Sequence, residues 1–197
     1  MKVLITGADG MLGSSICREA LSQGYEVRVM VLPGRTVSVL EGLDLTYCYG
    51  NLLDPESLYQ AVDGCDYVIN VAASTQMWPR RSEVIWKVNY HAVEHLVEAS
   101  KRFNVKRFVQ IGTANSFGHG SISEPGNELT PFNGGAYKMD YVDSKYKTLK
   151  FLESWIEFIA SGSHNNINGV SPAVSQNEEN YFVRMQYPEY YKSNFTR

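Results

Sequence analysis

A doubly wound α/β sheet of parallel strands is the fold this sequence predicts, on three observations. An apolar N-terminal run leads through a glycine turn into a helix-spaced stripe, strand-like and helix-like segments then alternate to about residue 160, and the chain beyond is polar and without period. Alternation of units this short needs crossover connections, and so strands that run parallel. A chain of 197 residues holds one good-sized core, so the expected organisation is one domain over 1–160 and an irregular or partly disordered tail over 161–197.

The first strand, Val3-Leu4-Ile5-Thr6, is followed by Gly7, Gly10 and Gly13. Leu12, Ile16 and Ala20 recur four apart and mark one face of a helix. Glycines in such a turn let the backbone approach a diphosphate, and the first-turn N–H groups of the helix, around Met11, Leu12 and Gly13, face its charge. Three glycines in seven residues also make an ordinary tight turn; the position directly after an N-terminal strand favours the nucleotide reading.

Gly24 sits where a helix-ending glycine belongs, and Val27, Val29 and Val31 alternate along a second strand over 26–31. A dinucleotide site that takes NAD places a carboxylate at the end of this strand, for the ribose 2′-hydroxyl. Here the strand ends Val31-Leu32-Pro33-Gly34-Arg35, with no carboxylate. Arg35 is close enough to meet a 2′-phosphate, which tilts the choice between NAD and NADP toward NADP. A single loop arginine is otherwise a solvated charge.

A short third strand is expected over 45–49. Asp54-Pro55-Glu56 then reads as N-cap, N1 proline and first-turn acid of a helix whose inner face is Leu58, Ala61 and Val62 and which Gly64 ends. The run DYVINVAA over 66–73 is a fourth strand, apolar enough to be covered on both faces. A long helix over 83–103 buries Val88, Ala92, Leu96, Ala99 and Phe103, and Asn104 can end it. The fifth strand spans 107–111. From 112 to 135 the chain is rich in Gly, Ser, Asn and Pro, a long loop of the kind that carries function. A last helix starts near Met139. In the tail, one strand is expected near 181–185.

Several function classes are excluded. The net charge of -3, with no basic block, gives no reason to expect nucleic acid. No apolar run approaches the roughly 18 residues of a membrane span. The N-terminus lacks a signal-peptide pattern, so the cytoplasm is the expected compartment. Cys17, Cys48 and Cys65 leave an odd count and no CxxC, against a disulfide framework. His91-Ala92-Val93-Glu94-His95 fits a zinc-peptidase spacing, but its helix already has a place in the fold and no third ligand follows; no metal is expected, with His91 at the surface and His95 at the core margin. Arg80 and Arg81 read as solvated charges, or as partners of a substrate anion.

Chemistry points to Tyr141 and Lys145, four apart on one helix face. A phenol is a poor acid or base at pH 7, and a lysine cation beside it stabilises the phenolate. Thr113 follows the fifth strand at the carboxyl edge, where doubly wound sheets place ligands, and Asn70, Ala72 and Ala73 end the fourth strand at the same edge. Asn89 lies in the long helix.

Taken in register, TGADGMLG, NLLDPESL, VINVAA, VNYHAVEHLVEAS, IGTANSFG and YVDSK resemble the motifs of the extended short-chain dehydrogenase/reductase superfamily, the NAD(P)-dependent epimerase/dehydratase and dihydroflavonol-reductase-like proteins. The resemblance covers residues 1–160 and implies a Rossmann-like, doubly wound parallel sheet. It implies an NAD(P)-dependent oxidoreductase acting on a carbonyl or alcohol carbon, or epimerase or dehydratase chemistry with the same first hydride step. Tyr141 would be the acid/base, Lys145 would bind the nicotinamide ribose and lower the tyrosine pKa, and Thr113 would orient the substrate oxygen. Asn89 would shape the site or its water relay. Gly7, Gly10 and Gly13 would cradle the pyrophosphate, Leu52 beside Asn51 would face the adenine, and Ala72 would lie along the cofactor. Asn51 stands where the family has Asp and keeps an acceptor oxygen. Members continue with a hydrophobic sixth strand and a substrate domain; here residues 167–173 are a polar echo of that strand, and the substrate domain is largely missing. Two readings of the chain's end follow, a truncated, frameshifted or rearranged product or a short variant that gains its missing wall as a homodimer, and two functions rival the enzyme: a non-catalytic or degenerate nucleotide-binding protein, and an unrelated interaction domain on the same fold.

Overall fold

The computed structural model describes residues 1–160, with side chains to Trp155. The expectations for the tail, including strands near 167–173 and 181–185, lie outside the described residues.

Five strands form one parallel sheet: β1 (Lys2–Thr6), β2 (Glu26–Val31), β3 (Leu45–Tyr49), β4 (Tyr67–Asn70) and β5 (Arg107–Gln110), in the order β3-β2-β1-β4-β5. The order reverses between β1 and β4, at the carboxyl ends of which such sheets bind their ligands. The registers place Thr6 beside both Met30 and Asn70, and Asn70 beside Gln110. Three polar residues therefore stand in a row at the carboxyl edge of otherwise apolar strands.

Crossovers run through α1 (Met11–Ser22), α2 (Pro55–Val62) and a long helix built of α3 (Glu83–Trp86), a π-type turn (Lys87–His91) and α4 (Ala92–Arg102); α5 (Asp140–Ala160) follows the long loop. Asp54 caps α2 by accepting from Glu56 and Ser57 N–H groups, and the Ser57 hydroxyl, donating to the same carboxylate, joins them in holding it below the ordinary range. Gly24, Gly64 and Asn104 take the positive φ that ends a helix.

Differences from the sequence reading are local. The fourth and fifth strands stop at Asn70 and Gln110, three and one residues early. The long helix widens to a π turn around Asn89, where that side chain bonds away from its own helix. The 112–135 loop ends in short helical turns at Ala114–Ser116 and Gly134–Tyr137.

Two apolar clusters flank the sheet. Leu4, Leu58, Val68, Leu96 and Phe108 fill the side covered by α2, α4 and α5; Ile5, Cys17, Val29 and Leu40 fill the side covered by α1. Among the described residues, coverage on the second side is partial. Cys17 and Gly13 of α1 are buried against β1 and β2, whereas the expected stripe of Leu12, Ile16 and Ala20 is only half-buried. That stripe, with Tyr67, Ile69, Val109 and Ile111, walls an open groove of about 1670 Å³ that passes the β5 edge to reach α5. Among the described residues, no helix is long and apolar enough to cross a membrane, Cys17, Cys48 and Cys65 are free thiols, and no group of three or more His, Cys, Asp or Glu could hold a metal.

Candidate cofactor and catalytic site

The glycine turn is shaped by close approach. Gly7 has φ +66°, and a Cβ there would lie 2.7 Å from the Ala72 nitrogen; a Cβ on Gly13 would lie 2.1 Å from the Gly7 oxygen. Both positions exclude a side chain, so β1, α1 and the strand end at Ala72 are locked together. Gly10 differs: its Cβ would meet only the Gly7 oxygen at 3.4 Å, and its outer side is open. No side chain caps α1, and Met11 above the turn is 89% exposed. A bare backbone in front of an uncapped helix N-terminus fits a diphosphate, which would lie over Gly10 and the first-turn amides.

From this turn a chain of hydrogen bonds crosses the carboxyl edge. The buried Thr6 hydroxyl donates to Asn70 Oδ1 and accepts from Ala72 N–H at 3.2 Å; Asn70 Nδ2 donates to Gln110 Oε1 at 2.8 Å. Gln110 Nε2 donates to the Ile111 carbonyl at 3.0 Å, and Lys145 Nζ donates to the same carbonyl at 3.2 Å. Thr6 and Gln110 were not singled out from sequence. The signal present was a polar residue closing an apolar strand, which means little until the strand order places three such ends side by side.

Lys145 is only 6% exposed, and burial pulls its ammonium down to about 8. It remains mostly cationic at neutral pH. Thr113, half-buried, starts the turn after β5, with its hydroxyl accepting from Asn115 N–H at 3.3 Å. Leu12, Thr113 and Lys145 line one groove. Tyr141 is half-buried one turn before Lys145 and does not line that groove.

Asn89 is 2% exposed and fully engaged. Its Oδ1 accepts from Ser74 N–H at 2.7 Å, its Nδ2 donates to Ser74 O at 3.0 Å and Ser144 Oγ at 3.3 Å, and its carbonyl accepts from Thr148 Oγ1 at 2.7 Å. It ties the loop after β4 to the helix of Tyr141 and Lys145, which makes it a positioning residue.

Past the carboxyl end of β2, Arg35 Nε lies 3.5 Å from Asp9 Oδ2. Ala72 adjoins Gly7. Asn51 Oδ1 accepts from Leu53 N–H at 2.9 Å, so part of its acceptor capacity is used locally. Leu52 is half-buried against the core cluster under β3 and α2.

Arg81 is neither solvated alone nor free for an anion. Its Nη1 pairs with Asp140 Oδ1 at 2.7 Å and Asp143 Oδ2 at 3.4 Å, while Asp140 also accepts from Ser82 N–H at 2.6 Å. Burial pushes the Asp140 carboxyl up, but these donors outweigh it and hold it below the ordinary range. The loop before α3 is thus clipped to the start of α5, beside Tyr141. His91 is exposed and pairs with Glu94 at 2.8 Å, with His95 at the core margin.

The family model for the NAD dependent epimerase/dehydratase family matches residues 3–165, most of the chain. This chain belongs to that family. A second match, to a phage tail tube protein model, covers residues 135–196, mostly beyond the described residues, and carries no argument. Curated relatives include sterol demethylase protein B of Methylococcus capsulatus, 31% identical over 74% of this chain and 44% of its own length. Others are 2-alkyl-3-oxoalkanoate reductase of Shewanella oneidensis, 31% identical over 65% of this chain and 32% of its own, and photosystem II assembly factor Ycf39 of Cyanophora paradoxa, 31% identical over 59% and 35%. The solved structure of the Bordetella bronchiseptica enzyme WbmH with NAD+ is 30% identical, with a TM-score of 0.66 over 78% of this chain and 52% of that one. The chain therefore spans about half the length of its solved relative, and less of the curated ones. The shared part is the NAD(P)-binding Rossmann fold.

Proposed function

We propose that this chain is an NAD(P)-dependent oxidoreductase acting on a carbonyl or alcohol carbon, with Tyr141, Lys145 and Thr113 as its acid/base set and NADP(H) preferred. The observation that carries the reading is Lys145: a buried cation, hydrogen-bonded at the carboxyl edge, one helical turn from a tyrosine and in the same groove as Thr113. A bound nicotinamide supplies or takes the hydride. Gly7, Gly10, Gly13 and the first-turn amides of Met11 and Leu12 hold the diphosphate, Ala72 and Leu52 flank the dinucleotide, and Asn51 meets the adenine. Lys145 holds the ribose near the reacting carbon and stabilises the Tyr141 phenolate, Thr113 donates to the substrate oxygen, and Tyr141 moves the proton. Arg35 favours a 2′-phosphate. Asn89 keeps α5 in place. The substrate is a small carbonyl or alcohol compound, and the working unit is a cytoplasmic homodimer without nucleic-acid or membrane partners.

Tyr141→Phe tests the chemistry. NADPH titration should match wild type within about twofold, while turnover on a carbonyl panel falls by at least about a hundredfold. Near-wild-type turnover in this variant removes Tyr141 from the mechanism. Sedimentation of the 197-residue chain as a monomer at micromolar concentration removes the dimer.

A second reading is favoured by the assembly-factor relatives: a nucleotide-binding protein without turnover. Saturable NAD(P)H binding with no turnover on any carbonyl or alcohol tested supports it.

A further inference from the structure

We propose that Asp9 is a specificity-determining residue, whose carboxylate reads the ribose of the adenosine and, through its ion pair with Arg35, limits the binding of a 2′-phosphate. The inference rests on the dinucleotide reading above and adds a residue to it. In a doubly wound sheet the adenosine ribose lies at the carboxyl end of β2, beside the glycine turn. β2 ends at Val31 and the chain continues Leu32-Pro33-Gly34, so the carboxyl end of the strand provides no carboxylate.

The turn provides one instead. Asp9 stands between Gly7 and Gly10, and its pair with Arg35, 3.5 Å apart, bridges the gap between turn and strand end. Both side chains reach solvent, Asp9 at 28% exposure and Arg35 at 64%. Such a pair is weak in water and opens easily for a ligand.

The two members favour different riboses. An ionised carboxylate accepts from a ribose 2′-hydroxyl but has nothing to donate to a phosphate, whereas a guanidinium only donates and suits the phosphate. A 2′-phosphate drawn to Arg35 comes beside the Asp9 charge and must compete with it for the same donors. Asp9 therefore works for NAD(H) and against NADP(H), and Arg35 does the reverse. One carboxylate moderates the preference that the arginine alone would give.

The test uses the full 197-residue chain and NADH and NADPH binding followed by nicotinamide fluorescence, with no substrate. Asp9→Asn should lower the NADPH dissociation constant about tenfold and raise that for NADH severalfold, and Asp9→Ser, a second charge-removing variant, should move the ratio the same way. Arg35→Met should weaken NADPH about tenfold and leave NADH within about twofold. An Asp9→Asn or Asp9→Ser protein that binds both nucleotides with the wild-type ratio overturns this inference and leaves the dinucleotide reading standing. Wild-type protein that binds neither nucleotide overturns both.

Discussion

Lys145 shows how a site residue is held at a cost to stability. Its pKa falls from the ordinary 10.5 to about 8 on burial, so between those values the unfolded chain binds more protons than the folded one. Stability then rises with pH across that window, and burying the cation is a full cost below it. Lys145→Met should remove this slope and raise stability at pH 7 by roughly 2–3 kcal/mol, net of the lost bond to Ile111, while abolishing turnover. Urea unfolding of both proteins at pH 7 and pH 10 measures it; parallel stabilities at the two values would mean that the ammonium stays hydrated. Gly13 is the opposite case, a residue set by geometry alone. With the Gly7 oxygen 2.1 Å from any Cβ, Gly13→Ala must push α1 off β1. It should cost about 1–3 kcal/mol and weaken NADPH binding by more than tenfold, and unchanged nucleotide titration would separate the turn from the cofactor.

At the scale of elements, the clip between Arg81 and Asp140 matters most, since it fixes where α5 begins and so where Tyr141 stands. Asp140 is 4% exposed and accepts from both Arg81 and Ser82. Its depressed pKa means that the clip contributes fully above the ordinary carboxylate range and is lost below that range, as pH falls through the lowered pKa of the folded state. Asp140→Ala should cost about 1–2 kcal/mol, because the half-buried Ser82 N–H loses its acceptor, while the exposed Arg81 keeps Asp143. Thermal unfolding at pH 7 and pH 3 checks this, with the gap between variant and wild type narrowing in acid. None of this was readable from the chain, where Arg81 precedes its partner by 59 residues. Local features were readable, because Asp54-Pro55-Glu56, Gly24 and Asn104 act on their own helices and Val27, Val29 and Val31 on their own strand. The candidate site divides the same way. The glycine turn and the Tyr141–Lys145 spacing are local patterns, whereas the Thr6–Asn70–Gln110 row and the Asp9–Arg35 pair exist only once β1, β2, β4 and β5 lie side by side.

For the molecule as a whole, the informative contrast is between the two faces of β4. Val68 is fully buried in the cluster beneath α2, α4 and α5, while its neighbour Ile69 points to the opposite side and helps to wall the groove. A sheet covered evenly would make the two residues comparable. Val68→Ala leaves a cavity in close-packed core and should cost about 2 kcal/mol, whereas Ile69→Ala deletes more atoms but from a partly buried groove wall and should cost about 1 kcal/mol or less. The order is the reverse of what side-chain size predicts, so urea unfolding of the two variants of the full chain decides the matter. A larger loss for Ile69→Ala would mean that the groove is filled in solution, by residues beyond 160 or by a second copy. Amide exchange on β5 then reports whether its edge is paired as well: β5 hydrogens exchanging well before those of central β1 match an open edge. Equal protection of β5 and β1 would mean that the sheet continues past its fifth strand.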